Sequence, residues 1–182
     1  MSLLSETLVD EWLNRQGFLT MRGIKNAGID EVDLLGVRPV ANGQLEAWHV
    51  EVQISFSPIA YISQLCKAER ERSGRKGGSA ASRSFEVLEE SVAEWIQKKF
   101  DSPRKCKLRN DVWPGLEWKK VFVHAVARHP QELKLIEKHN VTLIPFRAVL
   151  IHLTSEKGLT GASGTDISDI IRYYGAPPST LP

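Results

Sequence analysis

Two stretches with a two-residue rhythm, separated by Asn42-Gly43, constrain this chain more than any other feature. In the first, Val32 and Leu34 alternate with Asp33 and Leu35. In the second, Trp48, Val50, Val52 and Ile54 alternate with His49, Glu51 and Gln53. Side chains point alternately to opposite faces of a strand, so each stretch offers a sheet one apolar face and one polar face. Asn-Gly between such runs signals a hairpin. Directly opposite residues of an antiparallel pair share a face, so burying Val32 and Leu34 beside Val50 and Val52 places Leu34 opposite Val50 and Asp33 opposite Glu51. A strict two-residue turn puts Asp33 opposite Val52 and splits the apolar set. A three-residue loop over Ala41, Asn42 and Gly43, with Gly43 left-handed in a bulge, keeps it together.

That register has a chemical consequence. Asp33, Glu51 and Gln53 share one polar face, with His49 a step further along. Two carboxylates held a few ångströms apart repel each other unless a cation sits between them or one takes a proton. Oxygen ligands of this kind suit Mg²⁺ or Mn²⁺, ions that keep several waters and also bind phosphate. Such an ion activates water and stabilises charge on a phosphate oxygen. Gln53 points the same way, towards water or phosphate. Taken singly, each of these residues also fits the solvent face of an ordinary strand.

The rest of the chain reads as alternating elements. An amphipathic helix is predicted over 4–16, ending at Gly17, with a strand over 18–24. After the hairpin come a helix over 59–72, a flexible basic stretch from Gly74 to Ser82, and a helix over 84–100. Residues 103–115 read as an irregular basic connection. Then follow a strand over 119–127, a helix over 130–139, a strand over 141–145 and a helix over 146–153. Gly158, Gly161 and Gly164 mark a loop before a short helix over 166–173. An α/β fold is expected, a mixed central β-sheet flanked by helices. At 182 residues, 42% of them hydrophobic, one domain spanning 1–182 is the expectation.

No apolar run approaches the roughly 20 residues that span a bilayer, and no signal-peptide pattern opens the chain. A cytoplasmic location with no membrane partner follows as an expectation, with Cys66 and Cys106 reduced. Net charge is only +2, but Lys67, Arg70, Arg72, Arg75, Lys76 and Arg83 crowd one stretch against Glu69 and Glu71. Such a patch neutralises phosphates, and solvated loops often look the same. The five histidines lack ligand spacing for zinc, so they read as surface or satisfied core residues. Trp12, Trp48 and Trp95 fall on apolar stripes, whereas Trp113 and Trp118 flank Pro114-Gly115 and could stack on bases.

The stretch from Glu6 through Trp12, Leu13 and Gly17, then Gly28-Ile-Asp-Glu-Val-Asp33-Leu-Leu, then Trp48-His-Val-Glu51-Val-Gln53, resembles the core of the PD-(D/E)XK nuclease superfamily. Small Holliday junction resolvase-type nucleases show the same order of parts. The resemblance covers roughly residues 3–70. It implies a restriction-endonuclease-like αβββαβ core and a metal-dependent endonuclease of DNA, acting in repair, recombination or restriction, with RNA not excluded and dimerisation left open. Asp33 and Glu51 would be metal ligands with the Val52 carbonyl, Glu6 a further site carboxylate, and Lys67, Arg70, Arg75, Lys76 and Arg83 the nucleic-acid grip. One departure is plain: the family most often has Lys where this chain has Gln53, which removes a positive charge beside the transition state. Lys67 or Lys25 is the expected substitute, and Gln64 is reminiscent of a glutamine in some branches. The alternative is a catalytically weak or inactive nucleic-acid-binding module on the same fold.

Overall fold

The computed structural model describes residues 2–26, 30–55 and 59–155. It is a mixed α/β fold built on a five-stranded sheet in the order β1-β2-β3-β4-β5. Helix α1 (Ser2–Arg15) leads into β1 (Leu19–Asn26), β2 (Asp30–Pro39) and β3 (Leu45–Gln53), an antiparallel meander. Helices α2 (Lys67–Ser73), α3 (Phe85–Ile96) and α4 (Pro103–Val112) connect β3 to β4 (Trp118–His124), which runs parallel to it. Helix α5 (Pro130–Lys138) carries the chain to the parallel strand β5 (Val141–Pro145), and α6 (Phe146–Ser155) follows. The predicted glycine loop and the helix over 166–173 lie outside the described residues.

The hairpin register follows from the apolar pattern. Leu34 pairs with Val50 and Gly36 with Trp48, and the turn is a single 3-10 turn over Ala41–Gly43 with Gly43 at φ 71°. Leu34, Val50 and Val52 pack with Val121 and Val123 of β4 against Leu8, Val9 and Leu13 of α1 and against α6. The opposite face carries Phe122, on which Val92, Trp95 and Ile96 of α3 and Leu135 and Ile136 of α5 close a second core. Val32 departs from the expected grouping. It packs with Leu35 and Leu108 instead of with Leu34, in the part of β2 where pairing with β3 has ceased.

Two predicted elements are corrected. Residues 59–66 are not helical, because a buried carboxylate from another element claims their backbone. Glu132 of α5 accepts from the Ile62 and Ser63 amides, each at 2.8 Å, and from the Ser63 hydroxyl at 2.5 Å. A helix would spend those amides internally. Residues 103–112 are helical, not irregular: Ser102 caps the Lys105 amide and Pro103 sits in the first turn, where its missing N–H costs nothing. Between α3 and α4 the chain makes a π-helical turn, Gln97–Asp101. Turns of this kind are rare and concentrate at functional sites.

Candidate functional site

Beyond the Leu34↔Val50 pair, β2 and β3 part. There the Asp33 carboxylate takes over from the ladder, accepting the Val52 amide through Oδ2 at 2.7 Å. Asp33 is thus fixed at the point where the sheet opens. The expected Asp33–Glu51 partnership falls one step beyond the last paired residues, and the two acids interact through charge: Glu51 and Glu6 both push the Asp33 carboxyl upward. Burial is the larger cause, and against the opposing pull of Lys99 and the Val52 amide Asp33 reaches about 7 from an ordinary 3.8. Glu6, on α1, is buried at 8% exposure.

Glu51 lives in the opposite regime. It is fully buried beside Phe122 of the neighbouring strand, and burial alone would raise its pKa. Three donors reverse that: the Lys99 ammonium at 2.7 Å on Oε2, the Lys105 ammonium at 2.5 Å on Oε1, and His49 Nε2 at 3.0 Å on Oε1. They hold Glu51 down at about 2. His49 in turn meets Arg109 Nη1 through Nδ1 at 2.6 Å. A guanidinium can only donate, so Nδ1 accepts and Nε2 carries the proton given to Glu51. Burial and the cations of Arg109 and Lys105 keep the imidazole neutral, which agrees with that tautomer. Arg109 also donates to the Phe100 carbonyl at 2.7 Å, tying α4 to the π-helical turn that carries Lys99.

Neither Lys67 nor Lys25, the residues expected to supply a lysine to this corner, is among the cations on Glu51. Lys67 pairs with Glu71 at 3.8 Å and Lys25 with Glu31 at 3.3 Å, both on the surface. Lys99 and Lys105 come instead from the π-helical turn and α4. The Ser102-Pro103 pair was the available sign of α4. Lys105 itself is a buried cation at a position that apolar periodicity passes over. Lys99 gains a raised pKa: burial works against its charge, but Glu51 and Asp33 outweigh it.

The oxygen atoms left over decide what ion this corner suits. Oε1 of Glu51 already receives two donors, Oε2 receives one, and Asp33 Oδ1 has no donor among the described residues. A carboxylate has about four acceptor positions, so one Glu51 position and one Asp33 oxygen remain. Among the described residues no group of three or more His, Cys, Asp or Glu is arranged to hold a metal. Any ion held here would find at most two carboxylate oxygens among these residues and would take the rest of its shell from water or a ligand.

Gln53 stands next along β3, its Nε2 reaching the Ile62 carbonyl at 3.4 Å. It lines a cavity of about 520 Å³ that also takes in Lys99, Lys98, Arg70 and Arg83. The predicted basic grip thus divides. Arg70 and Arg83 face this cavity, Lys67 and Lys76 are exposed, and Arg75 is spent on the Ser79 hydroxyl, the Ala81 carbonyl and Glu69. Gln64 lines the same cavity from a non-helical segment. Trp118 begins β4 and packs against the cluster of Val32, Leu35 and Leu108, and Trp113 follows α4 as its exposed C-cap. Cys66 and Cys106 are both free thiols, and no helix among the described residues is long and apolar enough to cross a membrane. No family model, no curated protein and no solved structure matches this chain.

Proposed function

We propose that this chain is a metal-dependent endonuclease of the PD-(D/E)XK type, on a restriction-endonuclease-like core, cutting phosphodiester bonds of DNA in the cytoplasm. The observation that carries this reading is the Lys99 ammonium, 2.7 Å from Glu51, coupled by charge to Asp33 and lining a basic cavity. The chain lacks a lysine at position 53, and a lysine reaches the same carboxylate from a neighbouring element.

Asp33 and Glu51 would hold Mg²⁺ or Mn²⁺, with the Val52 carbonyl and Glu6 at its margin. Such an ion supplies a polarised phosphate oxygen and a more acidic water. Asp33 is suited to the first contact because its Oδ1 is uncommitted and the Lys99 charge offsets only part of what burial and the neighbouring acids do to its ionised form. Glu51 positions Lys99, whose remaining N–H bonds are then available to the attacking water or to a phosphate oxygen. His49, Arg109 and Lys105 keep Glu51 ionised and fixed, a supporting shell of the kind that orients functional groups. Gln53 offers an amide to a phosphate oxygen from the cavity wall.

One observation favours a second reading, a DNA-binding module with weak or no cutting. Glu51 is already satisfied by three protein donors, which removes much of its demand for a metal cation. Cleavage of branched, duplex and single-stranded DNA with Mg²⁺ or Mn²⁺ separates the two. The wild type is expected to cut, Asp33→Ala to be inactive, and Lys99→Ala to be slower by about 10²–10³, the loss typical of one transition-state donor. Binding that persists while neither metal supports cutting would establish the second reading.

A further inference from the structure

The cavity beside the carboxylate corner has its own architecture. Its wall at Ile62 and Ser63 is held rigid from behind by Glu132, which is 1% exposed and takes both amides and the serine hydroxyl. Arg83 lies along this wall with its guanidinium 3.8 Å over the Tyr61 ring, and its terminal nitrogens donate to the Ser63 hydroxyl at 3.3 Å and carbonyl at 3.2 Å. His129 stacks on Tyr61 at 4.4 Å and 8°. With Arg83 and His129 both on Tyr61, the ring serves as a support for the arginine. The Arg83 Nε is buried and has no acceptor among the described residues.

Three more cations share the space. Lys99 is committed to Glu51, but Arg70 and Lys98 are exposed and make no side-chain ion pair or hydrogen bond among the described residues. Glu94 is the cavity's acidic lining residue, and its carboxylate already accepts the Lys67 amide at 2.9 Å. A half-buried cation whose Nε is unused, two exposed cations unpaired among the described residues and a fixed wall make a receptor whose ligand must bring negative charge and several acceptor oxygens.

We propose that this cavity binds the phosphorylated end of a DNA strand, with Arg83, Arg70 and Lys98 as ligands of the terminal phosphate. A terminal phosphomonoester carries close to two negative charges at neutral pH, because its second pKa is about 6. A backbone phosphodiester carries one. The excess of cations and the bounded volume of the cavity both favour the more highly charged group, and 520 Å³ has room for a nucleotide end. Gln53 and Lys99 line the same cavity, so a strand end seated there brings its next linkage towards Asp33 and Glu51. This inference rests on the nucleic-acid reading above and not on cutting.

The test is a binding measurement in EDTA, where no metal-dependent cleavage occurs. Single-stranded oligodeoxynucleotides with a 5′-phosphate, with a 3′-phosphate, or with hydroxyls at both ends are compared by fluorescence anisotropy. One of the phosphorylated ends is expected to bind about tenfold more tightly than the hydroxyl-ended strand, a difference of roughly 1.4 kcal/mol. Arg70→Ala and Lys98→Ala, both at exposed positions, should remove that advantage without unfolding the chain, which circular dichroism checks. Arg83→Gln should remove it as well, provided its thermal melt stays cooperative. Equal affinity for all three oligonucleotides, with a closed single-stranded circle competing equally per nucleotide, would overturn the proposal. That result would leave metal-dependent cutting intact, whereas a clear end preference with no cutting would count against the nuclease reading alone.

Discussion

Glu51 and Asp33 stand on adjoining strands, and both interact with the ammonium of Lys99, yet the protein treats them oppositely. Around Glu51 it assembles two lysines and a neutral histidine backed by an arginine, and the acid stays ionised down to about pH 2 despite complete burial. Around Asp33 it places one backbone amide, two further acids and only part of the Lys99 charge, and burial carries the carboxyl to take up a proton near pH 7. Proximity of carboxylates therefore does not by itself make a cation-demanding site. What matters is which of them the protein has already neutralised. The Glu51 side is an ion cluster whose charge is already compensated, and the Asp33 side keeps an uncommitted oxygen and a raised pKa.

Removing a cation from the compensated side should have the largest effect. Lys105 is 4% exposed and Glu51 1%, so Lys105→Met leaves a carboxylate buried beside a smaller positive charge. A loss of about 3 kcal/mol in urea unfolding is expected, as for other broken buried pairs. Glu51→Gln in the same chain should recover part of it, because the two changes act on one interaction. If Lys105→Met costs no more than an ordinary surface substitution, the contrast between the two acids collapses.

How far the sequence reveals this contrast depends on which residues carry it. The Asp33 and Glu51 faces follow from a rhythm of two and from a turn whose Gly43 takes a left-handed conformation, all within a short span of chain. The cations on Glu51 come from 48 and 54 residues away, and no local pattern encodes them. Lys99 sits in a π-helical turn and Lys105 on a helix with little apolar surface, so hydrophobic periodicity is silent on both. The failure at residues 59–66 has the same origin. Ile59, Ile62 and Leu65 have helical spacing, but Glu132, about 70 positions on, takes the amides a helix would need. Patterns that repeat locally survive translation into structure, and those completed by one distant charge do not.

The uncompensated side should respond to pH with the opposite sign, and by less. Asp33 moves from an ordinary 3.8 to about 7 on folding, so the folded chain holds this proton more tightly. Its contribution to stability is complete below about pH 3.8 and is lost as pH rises through 7. Glu51 moves from 4.5 to about 2, so its contribution is present above pH 4.5 and is lost as pH falls through 2. In EDTA, Asp33→Asn should therefore match wild type near pH 3.5 and exceed it by roughly 2 kcal/mol near pH 8, after allowance for solvent screening. Thermal melts across that range, with and without Mg²⁺, read the difference directly. A variant that is more stable but unable to cut would mark Asp33 as a group kept under electrostatic stress for function.

The smallest effect should come from the substitution the family resemblance makes most tempting. Gln53→Lys restores the usual Glu-x-Lys spacing, but an ammonium already occupies the Glu51 oxygen it would seek, since Lys99 lies at 2.7 Å on Oε2 and Lys105 fills Oε1 with His49. The new lysine would give up a long 3.4 Å contact with the Ile62 carbonyl and enter a cavity already rich in cations. Stability should change by no more than about 0.5 kcal/mol, with little gain in cutting. The same change made in Lys99→Ala should behave differently. With Oε2 released, a lysine at position 53 has an acceptor, and it should recover part of the lost activity. Rescue confined to that background would show that the corner needs one ammonium whichever strand or helix delivers it. A large gain from Gln53→Lys in the wild-type chain would mean instead that Lys99 belongs to the structural cluster alone and that the position beside Asp33 is still waiting for its cation.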